Sequence, residues 1–223
     1  MTSLLLSKHL FISGKDSLYN ESPLGPVTPT LLITALGFIP DVRLTTSMDV
    51  KAPGNLLYIF GQTFRELGGS EYYKLKGHMG KTVPKVRAAQ AKRNFKAVTQ
   101  AIDLGFVKAC HDLSEGGLAV TAAEMALAGG YGMELNLKKV PSEALNRNDF
   151  LLFSESNSRF LIEVPEKAKN EFEAVMKGRV CTEIGWVTKN SKLTIHGLDG
   201  TVVVDTSLTN LRRSWKETLS SGV

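Results

Sequence analysis

Two stretches of the chain carry groups suited to phosphate chemistry. The denser is "HDLSEGGLAVTAAEMALAGG", residues 111–130. A strand runs into a His-Asp pair, Ser114 stands where a helix N-cap belongs, and Gly116 and Gly117 open an alanine-rich helix. The first N–H groups of such a helix lack intrahelical partners and sit at the positive end of its dipole, a setting that suits phosphate or carboxylate. The two glycines permit close approach of backbone or ligand. Asp112 adds a hard oxygen of the kind Mg²⁺ takes when it bridges phosphates. The same residues also have a plain structural reading: Ser114 as a cap, Glu115 as a first-turn charge, the glycines as a packing accommodation. On local physics His111 reads as a hydrogen-bonded structural histidine before it reads as a catalyst.

The second stretch is "SGKDSLYNES", residues 13–22. Its Gly-Lys followed by a hydroxyl suggests phosphate binding, but it is no P-loop. A P-loop has a glycine five residues before its Gly-Lys and Ser or Thr directly after it. Here those positions hold His9 and Asp16. Two further polar stretches accompany these. "ELGGSEYYK" (66–74) is a Gly-rich turn entering a helix, and "FSESNSRF" (153–160) is a polar insert between apolar segments. In the latter, Glu155, Ser156 and Asn157 fit ligand contact and turn-capping equally well.

The elements that must position these groups follow from periodicity. Residues 10–13 and 30–39 read as strands across a turn-rich loop, and "NLLYIFG" (55–61) as another. Residues 85–105 are the clearest helix, with Ala91, Phe95, Val98 and Ile102 at helical spacing and Pro84 just inside its start. Its Lys85, Arg87, Lys92, Arg93 and Lys96 read as a solvated face. A strand over 106–110, a helix from about Ser114, strands near 133–137 and 159–164, and a helix over 166–177 follow. "KLTIH" and "TVVVD" then flank a hairpin-like "GLDG", and Leu208, Leu211 and Trp215 mark a last helix. The alternation makes the chain mixed α/β.

Composition narrows the class. At 223 residues and 43% apolar content the chain suits one or two globular domains. Its longest apolar run, residues 30–39, is half of what spans a bilayer, and the opening lacks a secretory pattern, so a cytoplasmic protein is expected. Cys110 and Cys181 match no zinc or redox spacing and read as free buried thiols. The net charge of +5 is spread rather than clustered, unlike a nucleic-acid-binding stripe. Residues 1–50 hold too little apolar surface for a core and read as the tail of a domain that begins elsewhere; residues 51–223 can fold as an α/β domain.

"FISGKDSLYNES", "LGGSEYYK", "HDLSEGGLAVTAAEMA" and "LFSESNSRFLIEV", in that order, resemble the second half of the phosphoribosylformylglycinamidine synthase family. The wider aminoimidazole ribonucleotide synthetase superfamily, which includes selenophosphate synthetase and thiamine-monophosphate kinase, shares the fold without this combination. The resemblance implies a C-terminal α/β domain preceded by the tail of an ATP-binding-type N-terminal domain. It implies an ATP-dependent ligase converting formylglycinamide ribonucleotide to formylglycinamidine ribonucleotide, with ATP/ADP and Mg²⁺ as cofactors. The implied partners are the N-terminal half of the synthetase, a glutaminase subunit, a small bridging subunit and a second copy. No catalytic residue falls in this portion, so the chain alone is expected to be inactive; a non-catalytic ADP–Mg²⁺-binding module is the alternative, with a selenophosphate synthetase-like or thiamine-monophosphate kinase-like protein behind it. By resemblance Gly14 lets the backbone approach nucleotide and Ser17 donates to a substrate phosphate. Many small-form relatives carry Asn as a magnesium contact at position 15; Lys15 cannot coordinate a cation and is expected to meet phosphate as a point charge. Asp112 and Ser114 map onto the pair that holds a structural ADP–Mg²⁺, with Asp112 as the metal ligand. Glu155, Ser156 and Asn157 correspond to a substrate-contacting Glu-Ser-Gln of the other half.

Overall fold

The computed structural model describes residues 13–15, 20–28 and 30–220. Its centre is a seven-stranded sheet built from β1 (Leu56–Phe60), β2 (Ala109–Asp112), β3 (Gly132–Asn136), β4 (Phe160–Val164), β5 (Cys181–Thr188), β6 (Lys192–His196) and β7 (Val202–Ser207). The order is β2-β4-β1-β5-β3-β6-β7, antiparallel throughout except between β3 and β6. The helices are α1 (Glu71–Leu75), α2 (Ala88–Asp103), α3 (Gly117–Gly129), α4 (Asn148–Phe153), α5 (Lys169–Met176) and α6 (Leu208–Ser220).

Strand β1 shows why the sheet is covered on both faces. Side chains alternate along a strand, yet Leu57 and Ile59 are buried on one side and Tyr58 and Phe60 on the other. The first face packs with Leu118, Ala122, Met125 and Ala126 of α3, Leu151 of α4 and Leu208 of α6. The second packs with Ala97, Val98 and Ala101 of α2 and Phe172 and Met176 of α5. Tyr58 keeps its hydroxyl satisfied by donating to Glu173 Oε1 at 2.7 Å, the usual requirement for a buried polar tip.

Several expectations shift. Helix α2 begins at Ala88, not near Pro84, and buries Ala91, Asn94, Ala97, Val98 and Ala101. Phe95 is 49% exposed and meets Phe160 in a T-shaped ring contact. Asn94 takes the inward position because its Nδ2 donates to the Ser158 carbonyl at 3.3 Å. The strand expected over 106–110 runs over Ala109–Asp112. Residues 30–39 form no strand: Leu31, Leu32, Ile33, Leu36, Phe38 and Ile39 are exposed on irregular chain. Their apolar pattern has no facing strand among the described residues to complete it. The strand expected at 10–13 lies outside the described residues apart from Ser13, which is irregular.

Strand β5 escaped the sequence reading although it is central. "CTEIGWVT" mixes polar and apolar residues, and its pairing with β1 shifts register between Leu57 and Tyr58. Gly185 is required there, since a Cβ would fall 1.9 Å from the Glu134 carbonyl oxygen. No helix among the described residues is long and apolar enough to cross a membrane.

Candidate functional site at the end of strand β2

Strand β2 ends the sheet on one side, and its last residues project the groups singled out by the sequence. Cys110 faces the α2–α5 core while His111 points toward α3, as strand alternation requires. Burial pushes both thiols, Cys110 and Cys181, up to about 12, so neither is a nucleophile at neutral pH. His111 is held between two carboxylates, with Nδ1 3.2 Å from Asp112 Oδ1 and Nε2 3.0 Å from Glu124 Oε2. It is a bridged, structural histidine.

Ser114 Oγ donates to Asp112 Oδ2 at 2.5 Å. That hydrogen bond is the main reason the Asp112 carboxyl lies below the usual aspartate range, against a smaller opposing effect of burial. The Asp112 side chain is 61% exposed, so this ionised carboxylate and its serine partner present themselves to solvent.

The turn that follows differs from the expected one. Ser114 is not the N-cap: Gly116 is, at φ +75°, with Gly117 at φ +59° opening α3. The free N–H of Gly116 donates to Glu155 Oε1 at 2.9 Å. A carboxylate from a distant loop therefore already occupies the helix N-terminus, where Asp or Glu charge is favourable. The glycines answer to packing rather than to a ligand. A Cβ on Gly117 would fall 2.4 Å from the Ser154 carbonyl oxygen, and one on Gly116 2.2 Å from Val120 Cγ2.

The loop that delivers Glu155 is fixed by a buried polar network. Arg159 is 1% exposed and donates from Nε to the Ser156 carbonyl at 2.9 Å, from Nη1 to Thr63 Oγ1 at 3.0 Å, and from Nη2 to the Ser154 carbonyl. Burial lowers its pKa to about 10, while the charges of Glu66 and Glu155 act the other way. Ser154 Oγ donates to the Phe64 carbonyl at 2.5 Å and Ser156 Oγ accepts from Phe64 N–H at 3.0 Å. Glu66, nearly fully buried, accepts from Arg87 Nη2 at 3.0 Å. Of the three residues "ESN", Glu155 and Ser156 thus serve the fold and Asn157 alone is exposed. The expected turn at "ELGGSEYYK" is present, with Ser70 Oγ accepting from Tyr73 N–H at the start of α1.

Of the other residues expected to bind ligand, Gly14 and Lys15 lie on exposed chain, and a Cβ on Gly14 would meet nothing within 4 Å. Gly14 thus makes no close contact with Asp112. Ser17 lies outside the described residues. Among the described residues no group of three or more His, Cys, Asp or Glu side chains could hold a metal ion by itself. Asp112 therefore fits Mg²⁺ only as one carboxylate completed by ligand phosphates and water, a common arrangement for that ion. Glu124, Glu155 and Arg159 were not foreseen in their roles. The first two act across 13 and 39 residues of sequence, beyond any local pattern.

A mixed sheet sandwiched by helices, with polar turns gathered at the end of an edge strand, defines an α/β domain. Residues 52–197 match the family described as AIR synthase related protein, C-terminal domain. The chain belongs to that family. It is 40% identical over 179 residues to the phosphoribosylformylglycinamidine synthase subunit PurL of Thermococcus sibiricus, covering 78% of this chain and 25% of the relative. The chain thus spans about a quarter of the length of that curated relative. The fold is also that of Thermotoga maritima PurL complexed with FGAR (TM-score 0.67, 17% identity, 76% of this chain and 30% of that one). It likewise matches T. maritima PurL complexed with ATP (TM-score 0.62, 18% identity, 76% and 27%).

Proposed function

We propose that this chain is the C-terminal, nucleotide-holding part of a phosphoribosylformylglycinamidine synthase, an ATP-dependent C–N ligase of purine biosynthesis. The observation that carries the reading is the solvent-facing Asp112–Ser114 pair at the end of β2, in a chain 40% identical to a PurL subunit. ATP, when bound to the whole synthetase, would supply the phosphoryl group that activates the amide oxygen of formylglycinamide ribonucleotide for displacement by ammonia. In this portion Asp112 would offer one anionic oxygen to Mg²⁺, which would neutralise phosphate charge, and Ser114 holds that carboxylate ionised by hydrogen bonding. Lys15 adds a cation for phosphate, Gly14 leaves room for nucleotide, and Ser17 donates to a ribotide phosphate; all three act beside a partner rather than within the 51–223 domain.

The reading extends to partners and place. Residues 1–50 belong to an N-terminal ATP-binding-type unit, and the exposed apolar chain at 30–39 lies against it or against a second copy. The N-terminal half, a glutaminase subunit and a small bridging subunit complete the enzyme in the cytoplasm. Turnover of the ribotide with ATP and an ammonium salt tests this. The chain alone yields no product, and adding the N-terminal half of a PurL relative restores it. Product from the chain alone, or none from the reconstituted pair, overturns the proposal.

A second reading, a nucleotide-binding module with no part in turnover, is favoured by one observation: Glu155 and Ser156 are consumed by internal hydrogen bonds. It shares the Asp112 site and differs in leaving the reconstituted pair inactive.

A further inference from the structure

The second face of the sheet is covered unevenly. Helices α2 and α5 bury β1, β4 and the start of β5, but that core takes no buried residue from β3, β6 or β7 among the described residues. On the open half lies a groove of about 250 Å³ lined by Glu134, Asn136, Lys139, Ile184, Trp186 and His196. It is on the opposite face from His111 and four strands away from β2, so it is separate from the Asp112 site.

Pairing places the groove's groups side by side. Glu134 faces Trp186 across β3–β5 and Thr194 across β3–β6, and Asn136 faces His196. Trp186 is 43% exposed, which leaves a large flat apolar plate in the middle of a polar surface. His196 Nε2 lies 3.1 Å from Glu134 Oε1, which orients the carboxylate and leaves Oε2 able to accept. Asn136 Oδ1 already accepts from Lys138 N–H at 2.9 Å, so its amide N–H groups remain as donors. Lys139 Nζ adds a second donor, 3.7 Å from Glu183 Oε1.

The chemistry of a matching ligand follows from that inventory. The ring of Trp186 favours a stacked planar system. The groove offers an acceptor, Glu134, beside donors, Asn136 and Lys139, so the ligand edge must both donate and accept. A carboxylate and an ammonium both line the groove, the first beside His196 and the second beside Glu183, which selects against a strongly charged ligand. The volume is slightly below the usual range for drug-sized ligands and suits one ring or a fused pair. We infer that this groove binds a planar, uncharged nitrogen heterocycle whose edge carries N–H beside C=O, stacked on Trp186 with its N–H donated to Glu134.

Uracil and 1,3-dimethyluracil test this. Both are flat and carry carbonyls, but the dimethyl compound has no N–H to give. Trp186 and Trp215 are the chain's two tryptophans, so their indole N–H signals report the groove and a distant control. Uracil is expected to move the Trp186 signal saturably with a Kd on the order of 1–10 mM, leaving Trp215 unmoved. 1,3-Dimethyluracil should bind up to about tenfold more weakly, because it has no N–H to give the half-buried Glu134 acceptor. Glu134→Ala should abolish the difference between the two compounds. Glu134→Gln, which keeps an acceptor oxygen and disturbs the fold least, should retain part of it. An unmoved Trp186 signal, equal response to both compounds, or a difference that survives Glu134→Ala would overturn the inference.

Discussion

Replacing Arg159 with Met tests how the loop carrying Glu155 is held. The substitution keeps much of the side-chain volume and removes every donor. Three acceptors then lose their partner together: the carbonyls of Ser154 and Ser156 and the hydroxyl of Thr63. Each buried polar group left unpaired costs roughly 1–3 kcal/mol. Glu66 suffers too. It is 2% exposed, its Oε2 has no hydrogen-bond partner, and only Arg87 remains to face Oε1. Against this, the variant no longer buries a guanidinium, a cost visible in the depressed pKa of Arg159. Breaking a buried charge network by removing one member typically costs about 3–5 kcal/mol, and that range is expected here. It is a large part of the roughly 5–15 kcal/mol that holds a domain together. Urea unfolding followed by tryptophan fluorescence measures it as a fall in midpoint at constant slope. Glu66→Gln supplies the internal control, being better tolerated in the Arg159→Met background than in the wild type. A loss below about 1 kcal/mol, the ordinary effect of a point substitution, would refute the reasoning.

Two smaller perturbations probe the turn itself. Glu155→Ala removes the external cap of α3 and should cost about 1 kcal/mol, read as faster amide exchange over residues 116–121; unchanged exchange there would show that the cap contributes nothing. Ser114→Ala should raise the Asp112 pKa toward the ordinary aspartate value in an NMR titration. The sign follows from linkage: a carboxyl depressed in the folded state contributes stability above its unfolded pKa and loses it as pH falls through the folded one. The variant should therefore show a weaker loss of stability on the acid side, and an unmoved Asp112 titration would contradict the role given to Ser114.

Much of the fold was legible because its strongest signals are local. The continuous apolar run at 56–60, the helical spacing at 169–176 and the "GLDG" hairpin between β6 and β7 all appear where expected. What escaped depends on tertiary context. Gly185, with Thr182, Glu183 and Thr188, hides a strand whose place is set by partners on both sides. Phe95 fits a helical stripe, yet Asn94 has the buried hydrogen bond and turns the helix. Residues 30–39 carry the pattern of a strand without a sheet to join. At the site, Asp112 and Ser114 were legible as a pair, but the cap was assigned to the wrong group. "SEGG" contains a good local candidate, and the actual cap arrives from Glu155 on another loop.

The central claim is that Asp112 presents a carboxylate to a metal-bridged nucleotide. Calorimetric titration of ADP, with and without Mg²⁺, into this chain joined to the N-terminal half of a PurL relative tests it most directly. The wild type should bind ADP more tightly with Mg²⁺ than without, Asp112→Ala should lose most of that difference, and Asp112→Asn, which keeps an oxygen but no charge, should fall between. Equal, metal-dependent binding by wild type and Asp112→Ala would contradict the claim and leave "HDLSEGG" as a well-capped turn into a buried helix.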